Sequence, residues 1–169
     1  MAVSPFSDGT PQVSQWPIPP LHFFDYEINV PVDMAGTYLY HSHVGLQAVS
    51  AAGPLIVEDL IVPFEYDDEK IIFISDVFSK TNQNIEIGLA SNPFQWSGET
   101  SMVMVNGKGG GVSIGTFCNA SLSVIDVEPD KTYRLRFIGG TALTFEILAI
   151  EGHDNLTIIE ADGKVGSHL

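Results

Sequence analysis

Apolar and polar positions alternate along this chain in many short runs, with turn residues between them. The first twenty residues carry Pro5, Asp8-Gly9, Pro11, Pro17 and Pro19-Pro20 and read as loop. His22 to Val30 alternates in part and is rich in aromatics, which predicts a strand. Pro31 to Ala35 is a turn, and Gly36 to His43 predicts a second strand. Gly45 to Ala52 is a small-residue connection with room for a short helix, and Gly53 to Glu58 predicts a third, buried strand. Further strands are expected at Lys70 to Phe78, Ser101 to Asn106, Ser121 to Val127, Thr132 to Ile138, Thr144 to Ile150 and Leu156 to Ala161. A short helix is expected around Ile85 to Leu89, and Asn106-Gly107 closes a strand.

Strands at this spacing predict an all-β sandwich or barrel. Asp59 to Lys70, with Pro63 and the acidic cluster Glu65, Asp67, Asp68 and Glu69, reads as a solvated linker. The stretch before it holds three convincing strands where a free-standing sandwich needs about seven. Strands preceding Met1 are therefore expected to be missing.

Composition agrees with this picture. The 169 residues are 44% apolar and only 17% charged, with 16 Gly and 10 Pro, which suits a turn-rich β protein. The net charge of -14, with 7 Lys+Arg, repels phosphate backbones and anionic lipid, so neither nucleic acid nor a membrane surface is an expected partner. Such a surface keeps an extracellular protein soluble and weakly favours cations. No apolar run reaches the roughly 18 residues that cross a bilayer, and Met1 to Ser4 lacks the features of a signal peptide. Asn119-Ala120-Ser121 and Asn155-Leu156-Thr157 are possible glycosylation sequons, and the pair leans toward a secretory route. The lone Cys118 reads as a buried or unpaired thiol, with pairing to a cysteine outside this segment as the alternative.

The candidate chemistry lies in His41-Ser42-His43. On an extended segment alternate side chains share a face, so the two imidazoles project the same way about 7 Å apart. That is wide for chelating one ion and suits two neighbouring ions with one imidazole each; neutral imidazole binds copper, zinc and iron well. Read alone, HxH is a common tripeptide, and surface or hydrogen-bonded histidines are the more ordinary reading of it.

The surrounding residues are more specific. Gly36-Thr37-Tyr38-Leu39-Tyr40-His41-Ser42-His43, then Gln47, then Gly53-Pro54-Leu55-Ile56-Val57, resembles the multicopper oxidase motif GTxWYHSH…Q…GxxGPLIV. Ser7-Asp8-Gly9 and Gln15 to Pro20 resemble the loop before that motif, although many laccases have Cys where this chain has Trp16. Val105 to Gly109, Lys131 to Ile138 and Ile159 to Gly163 resemble the family's second cupredoxin domain. The wording around Phe6 to Gly9 and His22 to Tyr26 looks closest to fungal pigment-type and ascorbate-oxidase-like members.

This resemblance implies incomplete cupredoxin-like (plastocyanin-type) Greek-key sandwiches. Residues 1–63 would be the C-terminal part of a first domain, 64–69 a linker and 70–169 the N-terminal part of a second. It implies copper as cofactor, with His41 and His43 each binding one ion of the coupled pair in a trinuclear cluster and Ser42 on the opposite face. The complete parent would be a secreted, laccase-type oxidoreductase coupling one-electron oxidation of phenolic or related donors to reduction of dioxygen to water. A ferroxidase or ascorbate oxidase is the alternative within the family, and a non-catalytic cupredoxin-like binding module the alternative outside it.

The family's HWHG, HxxHxH and HCHxxxH motifs are absent, and Cys118 sits in no His-Cys-His string. The chain is therefore expected to be inactive alone. Its start just past the first histidine motif, and its tail Lys164 to Leu169, predict a partial open reading frame. His22, His153 and His168 read as solvated or terminal, and Lys108-Gly109-Gly110-Gly111 lacks the spacing of a phosphate loop.

Overall fold

The computed structural model describes residues 7–62, 64–113, 116–118, 121–153 and 156–165. Strand β1, Gly36–His41, runs antiparallel to β2, Ala52–Val57, with Tyr38 opposite Leu55 and His41 opposite Ala52. A 3-10 turn at Gln47–Val49 lies between them in sequence and rests against the next strand, β3, Asp68–Val77. Helix α1, Asn82–Leu89, follows. Then come β4, Met102–Val105; β5, Gly111–Ser113; β6, Thr116–Cys118; and β7, Tyr133–Gly139. A terminal hairpin pairs β8, Glu160–Ala161, with β9, Lys164–Val165.

The main sheet has the order β6-β5-β4-β3-β7, antiparallel except where β3 and β7 run parallel. Parallel neighbours need a long crossover, and the chain between Val77 and Tyr133 supplies it. Mostly β-strand in sheets, with one short α-helix among the described residues, this is an incomplete cupredoxin-like sandwich. Helix α1 forms because Thr81 caps it, its side chain accepting from Asn84 N, and because Ile85 and Gly88 face inward one turn apart. Asn106 and Gly107 both take positive φ (50° and 73°), the backbone of a tight turn between antiparallel strands. The Asn106 side chain then acts as a strand residue would, accepting from Phe73 N and donating to the Ile71 carbonyl, each at 2.9 Å.

Three expected strands are not strands. His22–Val30, Ser121–Val127 and Thr144–Ile150 lie outside every ladder formed by the described residues. Their composition is β-prone, but a strand exists only where a neighbour takes its backbone hydrogen bonds. The large apolar side chains of these runs stay in the open, with Phe145 89% and Ile147 88% exposed. Among the described residues the buried hydrophobic core is only Ile72, Ile85 and Ile138. A hollow of about 960 Å³ remains between β1, β7 and the segment before β8, lined by Tyr38, Phe64, Tyr66, Leu148 and Ile158 among others.

Charge joins the two sheets. Along β7 the side chains of Arg134, Arg136 and Ile138 share the buried face. Arg136 donates to Thr37 Oγ1 of β1 at 2.7 Å and lies 2.8 Å from Glu69 of β3. Arg134 donates to Glu160 at 2.8 Å, and Glu160 also accepts from Thr37 N. Burial works against the Arg134 charge, yet the Tyr66 and Glu160 contacts outweigh it and hold its pKa above the usual value. The acidic segment expected to be a solvated hinge is thus partly structural. Glu69 is half-buried against the arginines because β3 and β7 are neighbours, Asp67 pairs with Lys131 and Asp68 with Lys70.

Candidate metal centre

His41 ends β1 and His43 follows it, both exposed. The β1–β2 ladder fixes His41 opposite Ala52, and Ser42 N donates to Ala51 O at 2.8 Å, so the extended course continues one residue past the strand. The two imidazoles accordingly lie on the same side, ring centroids 5.8 Å apart and planes 29° from parallel. Ser42 points elsewhere: its hydroxyl donates to Gln47 Oε1 at 2.9 Å, closing the loop between the histidines and the 3-10 turn.

The tautomer of His41 follows from its partner. Nδ1 lies 3.0 Å from the Ser42 carbonyl, which can only accept, so the contact suits the tautomer with its proton on Nδ1 and its Nε2 lone pair open to a metal. A neutral ring so oriented is what a divalent or monovalent copper ion requires of a ligand. Two near-parallel rings at that separation could take one ion each. Among the described residues no group of three or more His, Cys, Asp or Glu comes together as a metal site. His41 and His43 are the two side chains of this segment that could hold a metal ion.

The other described histidines, His22 and His153, stand apart from any such arrangement. His22 is exposed with Nδ1 2.9 Å from the Pro20 carbonyl, and His153 is exposed in a turn closed by its own N–H to the Ile150 carbonyl. Cys118 ends β6, paired opposite Gly111, and the surroundings of its thiol lie outside the described side chains. Asn119, Asn155 and His168 lie outside the described residues.

Two features of the structure have no clear signal in the sequence, one beside the histidine turn and one elsewhere. Glu86 and Asn82 of α1 reach the turn after His43, bonding to Leu46 N and Leu46 O respectively. Their spacing of four on a helix was the available signal, but nothing in the sequence said that this face meets residue 46. Asp76, wholly buried, is the second: its carboxylate accepts from Ala142, Leu143 and Thr144 N and from Thr144 Oγ1.

Comparison with known proteins adds what geometry alone does not. Two family profiles, both described as Multicopper oxidase, match residues 68–169 and 1–60. The chain is 44% identical over 203 residues to a laccase-like multicopper oxidase of Thermothelomyces thermophilus, covering 95% of this chain and 31% of that protein. It is 50% identical over 164 residues to a multicopper oxidase, aurL2, of Gibberella zeae, covering 95% of this chain and 27% of that protein. An L-ascorbate oxidase of Cucumis sativus is 38% identical over 179 residues, covering 95% of this chain and 30% of that protein. The chain thus spans about a third or less of the length of these relatives.

Proposed function

The chain belongs to the multicopper oxidase family, a family of copper oxidoreductases, and on that basis we propose that it supplies two ligands, His41 and His43, to a trinuclear copper cluster. The observation that carries this reading is the pair of near-parallel imidazoles 5.8 Å apart at the end of a hydrogen-bonded strand. Bound copper would supply one-electron redox chemistry, coupling oxidation of a phenolic or related donor to reduction of dioxygen to water. What the chain's own residues do is positional. The β1–β2 ladder sets the direction of His41, the Ser42 carbonyl holds its proton at Nδ1, and the Ser42–Gln47 bond keeps the intervening residue off the ligand face.

We assign residues 1–63 to the end of a first cupredoxin domain, 64–69 to a linker and 70–169 to the start of a second. The identities of 44% and 50% to laccase-like and related fungal oxidases favour a laccase-type donor. The 38% identity to an L-ascorbate oxidase keeps an ascorbate-oxidase or ferroxidase type as the second reading. The sequons at Asn119 and Asn155 and the acidic charge support a secreted parent.

Two imidazoles leave each copper short of the ligands it needs, so this chain is inactive by itself. Copper analysis with oxygen-uptake measurements on the purified chain tests this. Weak copper binding, no intense blue absorbance and no oxygen consumption are expected. A full complement of tightly held copper with oxygen uptake would contradict it, and weak binding with no change on His41→Ala would favour a non-catalytic module instead.

A further inference from the structure

The turn after His43 is held from outside its own sheet. Leu46 offers two backbone groups there, and both are taken by side chains of α1: Leu46 N donates to Glu86 Oε1, and Asn82 Nδ2 donates to Leu46 O at 3.3 Å. Asn82 and Glu86 lie one helical turn apart on one face of α1, while Ile85 and Gly88 bury the adjoining face. The approach is close: a Cβ at Gly45, whose φ of 52° itself favours glycine, would meet the Glu86 carboxylate and displace it. Within the same loop Gln47 binds the Ser42 hydroxyl. A chain of bonded groups therefore runs from α1 through Leu46 and Gln47 to Ser42, the residue between the two imidazoles.

We propose that Glu86, with Asn82, is a positioning residue that sets the separation of His41 and His43 from the second half of the chain. The proposal rests on the copper reading of that pair. A carboxylate accepting a backbone N–H makes a charge-assisted bond, stronger than a neutral one, and the Asn82 amide fixes the opposite side of the same residue. Without them the turn between His43 and Gln47 loses both external ties, and the imidazoles lose a defined spacing before any metal arrives. Groups one step removed from metal ligands commonly change metal affinity by about 10–100-fold.

The test is a copper(I) titration of the full chain, followed in parallel by the amide proton of Leu46 in NMR spectra. In Glu86→Ala the Leu46 amide is expected to lose its low-field shift, and copper(I) affinity to fall about tenfold. Glu86→Gln keeps an oxygen at the same reach and is expected to recover most of the affinity. Gly45→Ala displaces the carboxylate from the other side and is expected to match Glu86→Ala; it carries the test if Glu86→Ala does not fold. Wild-type copper affinity in Gly45→Ala or Glu86→Ala, with the Leu46 shift lost, would overturn the positioning role. Copper affinity unchanged in His41→Ala would instead remove the copper reading beneath it, so the two failures are distinct.

Discussion

Asp76 is fully enclosed near the end of β3 and accepts four hydrogen bonds from three consecutive residues, Ala142 to Thr144. A buried carboxylate is tolerated only with such donors around it, and here they also order the loop after β7. Asp76→Ala leaves those N–H groups without partners and is expected to cost about 3 kcal/mol, with Asp76→Asn costing less because one acceptor remains. Hydrogen exchange at the Ala142, Leu143 and Thr144 amides checks it: protection should vanish in the alanine variant, and unchanged protection would contradict the role. The sequence carried no sign of this. Asp76 follows Ser75 within Ile74-Ser75-Asp76-Val77, and an acidic residue there reads as solvent-facing until the loop 66 to 68 residues later is known to fold over it. His41 and His43 are the opposite case. Their same-side projection depends only on local alternation, so the candidate pair is visible in the sequence, whereas the groups that brace them come from 40 residues away.

At the scale of elements, the junction of β3 and β7 is pinned by charge at its open end. The backbone N–H of Thr132 bonds to Asp67 and, with Lys131, holds the Asp67 carboxyl below the usual aspartate value. Asp68 is lowered by Lys70 and by the Glu69 N–H. A carboxyl whose folded pKa is depressed adds stability above its unfolded value, near pH 4, and that contribution is lost as pH falls through the folded value. Stability is therefore expected to decline below about pH 4, with a shallower decline in Asp67→Asn followed by circular dichroism. An identical acid profile in that variant would show that the contact does not matter. Both groups are exposed, so the effect is small and weakens with salt.

Further along β3, Ile71 and Phe73 depend on Asn106, which combines a positive φ with two side-chain bonds to that strand. Asn106→Ala is expected to cost about 1–2 kcal/mol, read as a lower urea midpoint with the β4 amides exchanging faster; no change would remove the strand-substitute role. Asn106-Gly107 was legible as a turn, as were β1 to β4, β7 and α1 to within a few residues. The three runs that failed to become strands were β-prone for the right local reasons. Propensity reports how a segment would behave in a sheet, and pairing depends on where a neighbouring edge lies.

The molecule as a whole exposes 12544 Å² of surface, against about 8,100 Å² for a compact monomer of its mass. Among the described residues, a thin core, open apolar runs and a hollow beside β7 fit an incomplete cupredoxin-like sandwich. The polypeptide on its own is expected to be only marginally stable. A sharp, cooperative melt from a soluble monomer would contradict that. No helix among the described residues is long and apolar enough to cross a membrane. The architecture could be read from strand spacing, and the family from the residues around His41; the charged face of β7 could not. Arg134 and Arg136 alternate with Leu135 and Phe137, and the usual assumption turns the apolar residues inward, whereas Glu69, Glu160 and Thr37 make the arginine face the buried one.

The claim on which the functional reading turns is that His41 and His43 take a separate copper each. Copper(I) titration of the chain with nitrogen-15-labelled histidine follows each imidazole separately. The expected result is that the ring nitrogens of His41 and His43 both shift, saturating weakly toward two coppers per chain while His22 and His153 stay still. Saturation at a single copper shared by both rings, or a response from His22 or His153 with the pair unmoved, would contradict the account.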